Sequence, residues 1–197
     1  MRILGWWLLG LAMVPAVVPS MAGAQTRRQS NIRSVWKEPE RARPRGERLL
    51  RAVMLDVHNE ERVAIGMAPV TWDATLAAQA LVYARELARL RRFQHSAKAS
   101  RPTPQGENLW MGSRGAFTYE EMSEAWTREK RYYRARPVPD FSSTGDWRDV
   151  GHYTQMVWHN TTAIGCAVAS NDRDDYLVCR YSPPGNVYGR TIYGAEK

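Results

Sequence analysis

The stretch GHYTQMVWHNTTAIGC, residues 151–166, sets His152 at the head of a short run that carries a threonine, a glutamine and a tryptophan and ends in a cysteine. An imidazole can ligate a metal, move a proton, or serve as a hydrogen-bonded tie in a core. Which of these applies to His152 depends on the partners that the rest of the chain supplies. A second histidine, His58, opens HNEER at 58–62. That run is not the HExxH pattern of zinc proteases, because its second histidine is missing and the order differs. The chain contains no GxSxG nucleophile elbow. Its two cysteines, Cys166 and Cys179, are too far apart for a CxxC metal or redox motif.

The elements that must position these residues can be read from periodicity. Leu50, Val53, Met54, Val57 and Ala64 recur at helical spacing across residues 48–64, with Gly66 as a stop and Pro69 beyond it. Asp73 can cap a second helix whose stripe is Leu76, Ala77, Ala80, Leu81, Ala84, Leu87 and Ala88. SAKASRPTPQGEN is loop by composition. Thr118 and Glu121 form a capping-box pattern, which opens a third helix through Met122, Ala125, Trp126 and Glu129. A long connection follows, and a short fourth helix begins at the 151–166 stretch.

After Trp158 the period changes. IGCAVAS and DYLVCRY, separated by NDRDD, read as a β-hairpin. A turn centred between Asp172 and Arg173 sets Cys166 opposite Cys179, within reach of a disulfide.

The first 24 residues have a positive Arg2, an apolar stretch and Ala22-Gly23-Ala24 before Gln25, the pattern of an export signal. Pro15 and Pro19 break the stretch, which falls short of the ~20 residues a membrane span requires. The expected layout is a signal at 1–24, a basic proline-containing arm at 25–47 and one domain at 48–197. Export to a secreted or periplasmic location suits the even cysteine count. The net charge is +8, but residues 27–51 hold nine basic and three acidic side chains, and residues 52–197 hold 18 and 17. A nearly neutral domain excludes a nucleic-acid-binding face as the origin of the charge. The arm suits contact with anionic polymers or headgroups instead.

Four stretches together resemble the CAP superfamily of cysteine-rich secretory proteins, antigen 5 and pathogenesis-related class 1 proteins. HNEER at 58–62 is similar to its HNxxR helix motif, and GEN at 106–108 to its loop motif. GHYTQMVWHNT and YLVCRYSPPGN are similar to its two long signatures. The resemblance implies an α+β fold, an α-β-α sandwich with a central antiparallel sheet between helical layers. It also implies that His95, Glu107, Glu129 and His152 converge in a cleft. The histidines are then the direct ligands of a divalent cation, zinc foremost, with the glutamates as partners. No organic cofactor is expected. On the same basis His58, Asn59 and Arg62 are structural, Asn108 and Asn186 hold loops, and Tyr153 and Gln155 line the cleft.

Three roles compete. The resemblance implies sterol or fatty-acid binding in several branches of the family, so an extracytoplasmic binding module for a lipid, a sterol or an envelope polymer ranks first. An envelope role with the arm as tether ranks second. Metal- or carboxylate-assisted hydrolysis, with Glu107 or Glu129 as general base, ranks third. A Cys166–Cys179 bond would leave no thiol nucleophile, and four convergent side chains by themselves establish no reaction.

Overall fold

A computed structural model describes residues 43–194; the export signal and most of the basic arm lie outside the described residues. The elements are α1 (Glu47–Ala64), β1 (Thr71–Trp72), α2 (Ala74–Leu90), β2 (Gly106–Ser113), α3 (Tyr119–Thr127), α4 (Gly151–Met156), β3 (Ala163–Ser170) and β4 (Asp174–Ser182). Local chemistry sets their ends. Asp73 Oδ1 accepts from the backbone N–H groups of Thr75 and Leu76 and starts α2. Thr118 and Glu121 close a reciprocal capping box on α3. Past the end of α1, Gly66 takes φ 76°, where a side chain would be strained.

The strands form one sheet in the order β1-β3-β4-β2. β4 pairs antiparallel with β3 and with β2, and the hairpin register sets Cys166 against Cys179, which are joined in a disulfide. Period-two alternation divides the side chains of β4 between two helical layers. Tyr176 and Val178 face α2, with its Ala80, Ala84 and Leu87. Leu177, Cys179 and Tyr181 join the core built by Met54 of α1, Met122 and Trp126 of α3 and Met156 of α4. This is the α-β-α sandwich. The sheet is not wholly antiparallel, because the two-residue β1 runs parallel to β3. Two residues are too few to leave a periodic signal in the sequence.

Two further expectations are corrected. GEN is not loop: Gly106, Glu107 and Asn108 are the first residues of the edge strand β2. Glu129 is not in the third helix, which ends at Thr127. It belongs to a tighter 3₁₀ turn, Arg128–Tyr132. The basic arm, expected to run to residue 47, is bound at its end. Arg43 pairs with Glu121 at 2.8 Å, and Arg45 pairs with Asp175 at 2.9 Å while lying over the Tyr119 ring.

The HNEER motif is scaffold. Arg62 is buried and gives its guanidinium to four carbonyls, those of Ala68, Met156, Trp158 and Thr161. It thereby ties α1 to the chain around α4. Asn59 exchanges both hydrogen bonds of an amide with the backbone of Val70. His58, fully buried, bridges the Met54 carbonyl and the Tyr181 hydroxyl. Burial holds the Tyr181 hydroxyl in its protonated form, so it donates to Nε2, and Nδ1–H donates to Met54. The neutral ring satisfies both contacts, and burial pushes its pKa down to about 4.

Helix α2 rests directly on β3 at Gly165, where a Cβ would overlap the backbone of Asp73 and Ala77. Gly165→Ala must push the capped end of α2 off the sheet, and it should lower stability by about 1–3 kcal/mol in denaturant titration. His58 predicts an acid dependence. Its folded pKa lies below the unfolded value of 6.5, so its contribution is complete above that value and is lost as pH falls through about 4. Unfolding free energies measured across this window should fall by an amount on the order of 3 kcal/mol, and His58→Gln should flatten the slope.

Candidate functional site

The site is two histidine–glutamate pairs arranged about the first residues of β2. His95 lies in the connection after α2, and its Nδ1 meets Glu107 Oε1 at 2.7 Å. His152 is the second residue of α4, and its Nδ1 meets Glu129 Oε1 at 2.6 Å. The other Glu129 oxygen accepts from the backbone N–H groups of His152 and Tyr153, at 2.9 and 3.1 Å. The 3₁₀ turn that carries Glu129 thus fixes both the start of α4 and the orientation of the His152 ring. Trp126 stacks on that ring with an interplanar angle of 16°, and its indole N–H is held by the Leu109 carbonyl of β2.

Glu107 and Asn108 are neighbours in a strand and therefore serve opposite faces of the sheet. Glu107 reaches His95, while the Asn108 amide donates to the His152 carbonyl at 3.1 Å. One peptide step of β2 holds both histidines in place.

Glu107 has partners that sequence reasoning missed. Its carboxylate accepts from the Ser96 backbone N–H and hydroxyl, and it lies 3.0 Å from Arg180 and 3.4 Å from Arg101. Burial alone would raise its pKa. The His95 hydrogen bond, the Arg180 charge, the Ser96 hydroxyl and the Arg101 charge outweigh that and hold it below the usual carboxylate range. The signal for Arg180 was its place between Cys179 and Tyr181, which gives its face but not its partner.

The remaining expected residues divide as follows. Asn186 sits at φ 54°, donates to the Gly151 carbonyl and accepts from Thr154, locking the 182–187 loop to α4. Tyr153 and Gln155 do not line an open cleft. They are 2% and 3% exposed: Tyr153 packs against Tyr133, and Gln155 accepts from the Gly185 N–H and donates to Thr161. They point inward because α4 is one short helix against a deep core, and only its first turn reaches the surface.

Chemically, each imidazole has one nitrogen committed to a carboxylate, so Nε2 is the ring atom left for a further partner. Among the described residues no three His, Cys, Asp or Glu side chains stand close enough to enclose a metal ion. The donor set suits a metal only as two imidazoles, with the glutamates behind them and water completing the coordination.

This fold and these paired residues define the class of protein. The chain belongs to the cysteine-rich secretory protein family, CAP, whose model matches residues 55–181. It is 39% identical over 140 residues to pathogenesis-related protein 1C of Nicotiana tabacum, covering 71% of this chain and 78% of that one. It is 35% identical over 161 residues to scoloptoxin SSD976 of Scolopendra dehaani, covering 73% of each. Among solved structures, NaASP2 with Zn2+ superposes with a TM-score of 0.65 at 27% identity, covering 81% of this chain and 90% of that one.

Replacing Glu107 by glutamine would leave the buried Arg101 and Arg180 without a counter-charge. Glu107→Gln should cost about 3 kcal/mol or more in denaturant unfolding. The parent should also show a second acid transition. The Glu107 contribution is complete above the ordinary carboxylate range and is lost as pH falls through its lowered value. A pH titration of stability should show this step below the His58 window, and it should be absent from Glu107→Gln.

Proposed function

We propose that the chain is an extracytoplasmic binding module in which His95 and His152 hold one divalent cation, zinc foremost. The observation that carries this reading is the matched pairing of Nδ1 with a glutamate at both histidines. A carboxylate on Nδ1 fixes the tautomer and leaves the Nε2 lone pair for a metal, which is how metal-bound histidines are prepared. NaASP2, a structural relative, is solved with zinc. When bound, the cation would supply a charged, water-carrying centre able to attract an oxygen ligand. The chain's own residues orient and insulate: Glu107 and Glu129 set the rings, and Trp126 covers one face of His152.

Export is supported by the disulfide and by membership of a secretory family. A lipid or sterol ligand has one supporting feature, an apolar pocket of about 340 Å³ between α1 and α2 lined by Leu50, Ala77, Leu81, Tyr119 and Val168.

Titration calorimetry with zinc tests the metal site. A His95→Ala, His152→Ala double variant should not bind, and Glu129→Gln should bind about 10–100-fold more weakly. Affinity should decline on acidification, because a protonated imidazole offers no lone pair. Zinc binding by the double variant as tight as by the parent would overturn the reading.

A further inference from the structure

A second surface carries features that the histidine site does not use. Residues 134–141 form a loop closed at its base by a Tyr133–Ser142 bridge and by the Arg134 N–H donating to the Phe141 carbonyl. Its far side is fastened to the chain near the C-terminal end of the fold. The Val138 N–H donates to the Arg190 carbonyl at 2.9 Å, and the Gly189 N–H donates to the Val138 carbonyl at 3.0 Å. The backbone joined by this cross-link carries three exposed arginines, Arg134, Arg136 and Arg190. None has an ion pair, side-chain hydrogen bond or ring contact. Cations in the flanking stretches of chain are paired: Arg128 with Glu124, Lys130 with Glu61 and Arg148 with Asp146. Asp140 is the only carboxylate in the loop. Three like charges fixed on cross-linked backbone repel one another, and an anionic partner relieves that repulsion.

The same cross-link presents an aromatic ring. Tyr188 bridges to Val138 and is 80% exposed, the most open large apolar side chain among the described residues. It stands on the rim of a cavity of about 570 Å³, whose other walls are the proline-rich 101–105 loop, Lys98 and the 184–187 segment. The cross-link that carries the arginines thus also carries an open tyrosine, which borders a concave cavity of ligand-binding size. The concavity selects among polyanions. A flat bilayer surface does not enter it, whereas a chain of sugar rings can lay one ring in the cavity and stack the next on Tyr188.

We propose that this surface binds an anionic polysaccharide, with Arg134, Arg136 and Arg190 meeting its carboxylate or sulfate groups and Tyr188 stacking on a sugar ring. Neither His95 nor His152 belongs to this surface, and the contact requires no metal.

The test is affinity of the full exported chain for immobilised polygalacturonate and for heparin, which present carboxylate and sulfate respectively, with salt varied. The parent should bind at least one of them, and the preferred column identifies the anion. Arg134→Ala, Arg136→Ala, Arg190→Ala should weaken that binding by about tenfold or more and reduce its salt dependence, because screened contacts have been removed. Tyr188→Ala should weaken it several-fold with the salt dependence unchanged. Both effects should persist when Arg27, Arg28 and Arg33 of the arm are also alanine, and the melting temperature of the Arg134, Arg136, Arg190 and Tyr188 variants should match the parent's because those side chains are exposed. Failure to bind either polymer, equal binding by the triple variant, or no effect of Tyr188→Ala would overturn the proposal. So would equally tight, arginine-dependent binding of phosphatidylserine vesicles or single-stranded DNA.

Discussion

Alternation along β2 is the constraint on which the site depends. Consecutive residues of a strand face opposite sides, so Glu107 looks into the layer of α2 and Asn108 into the layer of α3 and α4. Two histidines brought by separate stretches of chain are thereby referred to the same backbone. Gly106, just before them, has no side chain because the Gln155 amide fills the space where a Cβ would project. A one-residue slip of β2 against β4 would exchange the two faces and place the Glu107 carboxylate under α1. The pairing of Glu107 with Arg180 and of Asn108 with Cys179 is therefore part of the site as much as the histidines are.

The two sides of the sheet handle buried polarity differently. Beneath α1, His58 and Arg62 are satisfied by neutral carbonyls and a hydroxyl. Such contacts fasten the helix without requiring a counter-ion. On the α2 side, Glu107 carries a full charge between two guanidiniums, and Arg180 also lies over the Tyr83 ring. A carboxylate held that firmly is a poor proton acceptor. This favours an orienting role for Glu107 over a catalytic one, and it leaves Glu129, with its partly open side chain, as the more adaptable of the two acids.

Much of the frame was legible in the sequence because it rests on local rules. The Asp73 cap, the Thr118–Glu121 box and the register that joins Cys166 to Cys179 each follow from a few neighbouring residues. β1 and β2 were not legible. One is two residues long and takes its partner from ninety residues away, and the other begins in a run of polar residues that reads as loop. The four cleft residues came from resemblance alone. Spacing could not have paired His95 with Glu107 or His152 with Glu129, since each contact depends on the sandwich having closed. The resemblance also placed Tyr153 and Gln155 in the cleft. Tyr153 is turned about 100° from His152 along α4, and Gln155 is held in the core by the Gly185 N–H and the Thr161 hydroxyl.

The disulfide crosses the hairpin beneath α1, with Cys179 in contact with the Met54 sulfur at 4.0 Å and both sulfurs' residues almost wholly enclosed. A thiolate must approach a disulfide sulfur directly to exchange with it. While α1 lies in place, Cys179 is enclosed and Cys166 is reached only through the pocket between α1 and α2, so a folded reductase or isomerase lacks that approach. The pace at which this bond is lost to a protein reductase in non-denaturing buffer is thus a clock for the lifting of the first helix, and it times an opening that no spectroscopic probe of the folded population would register.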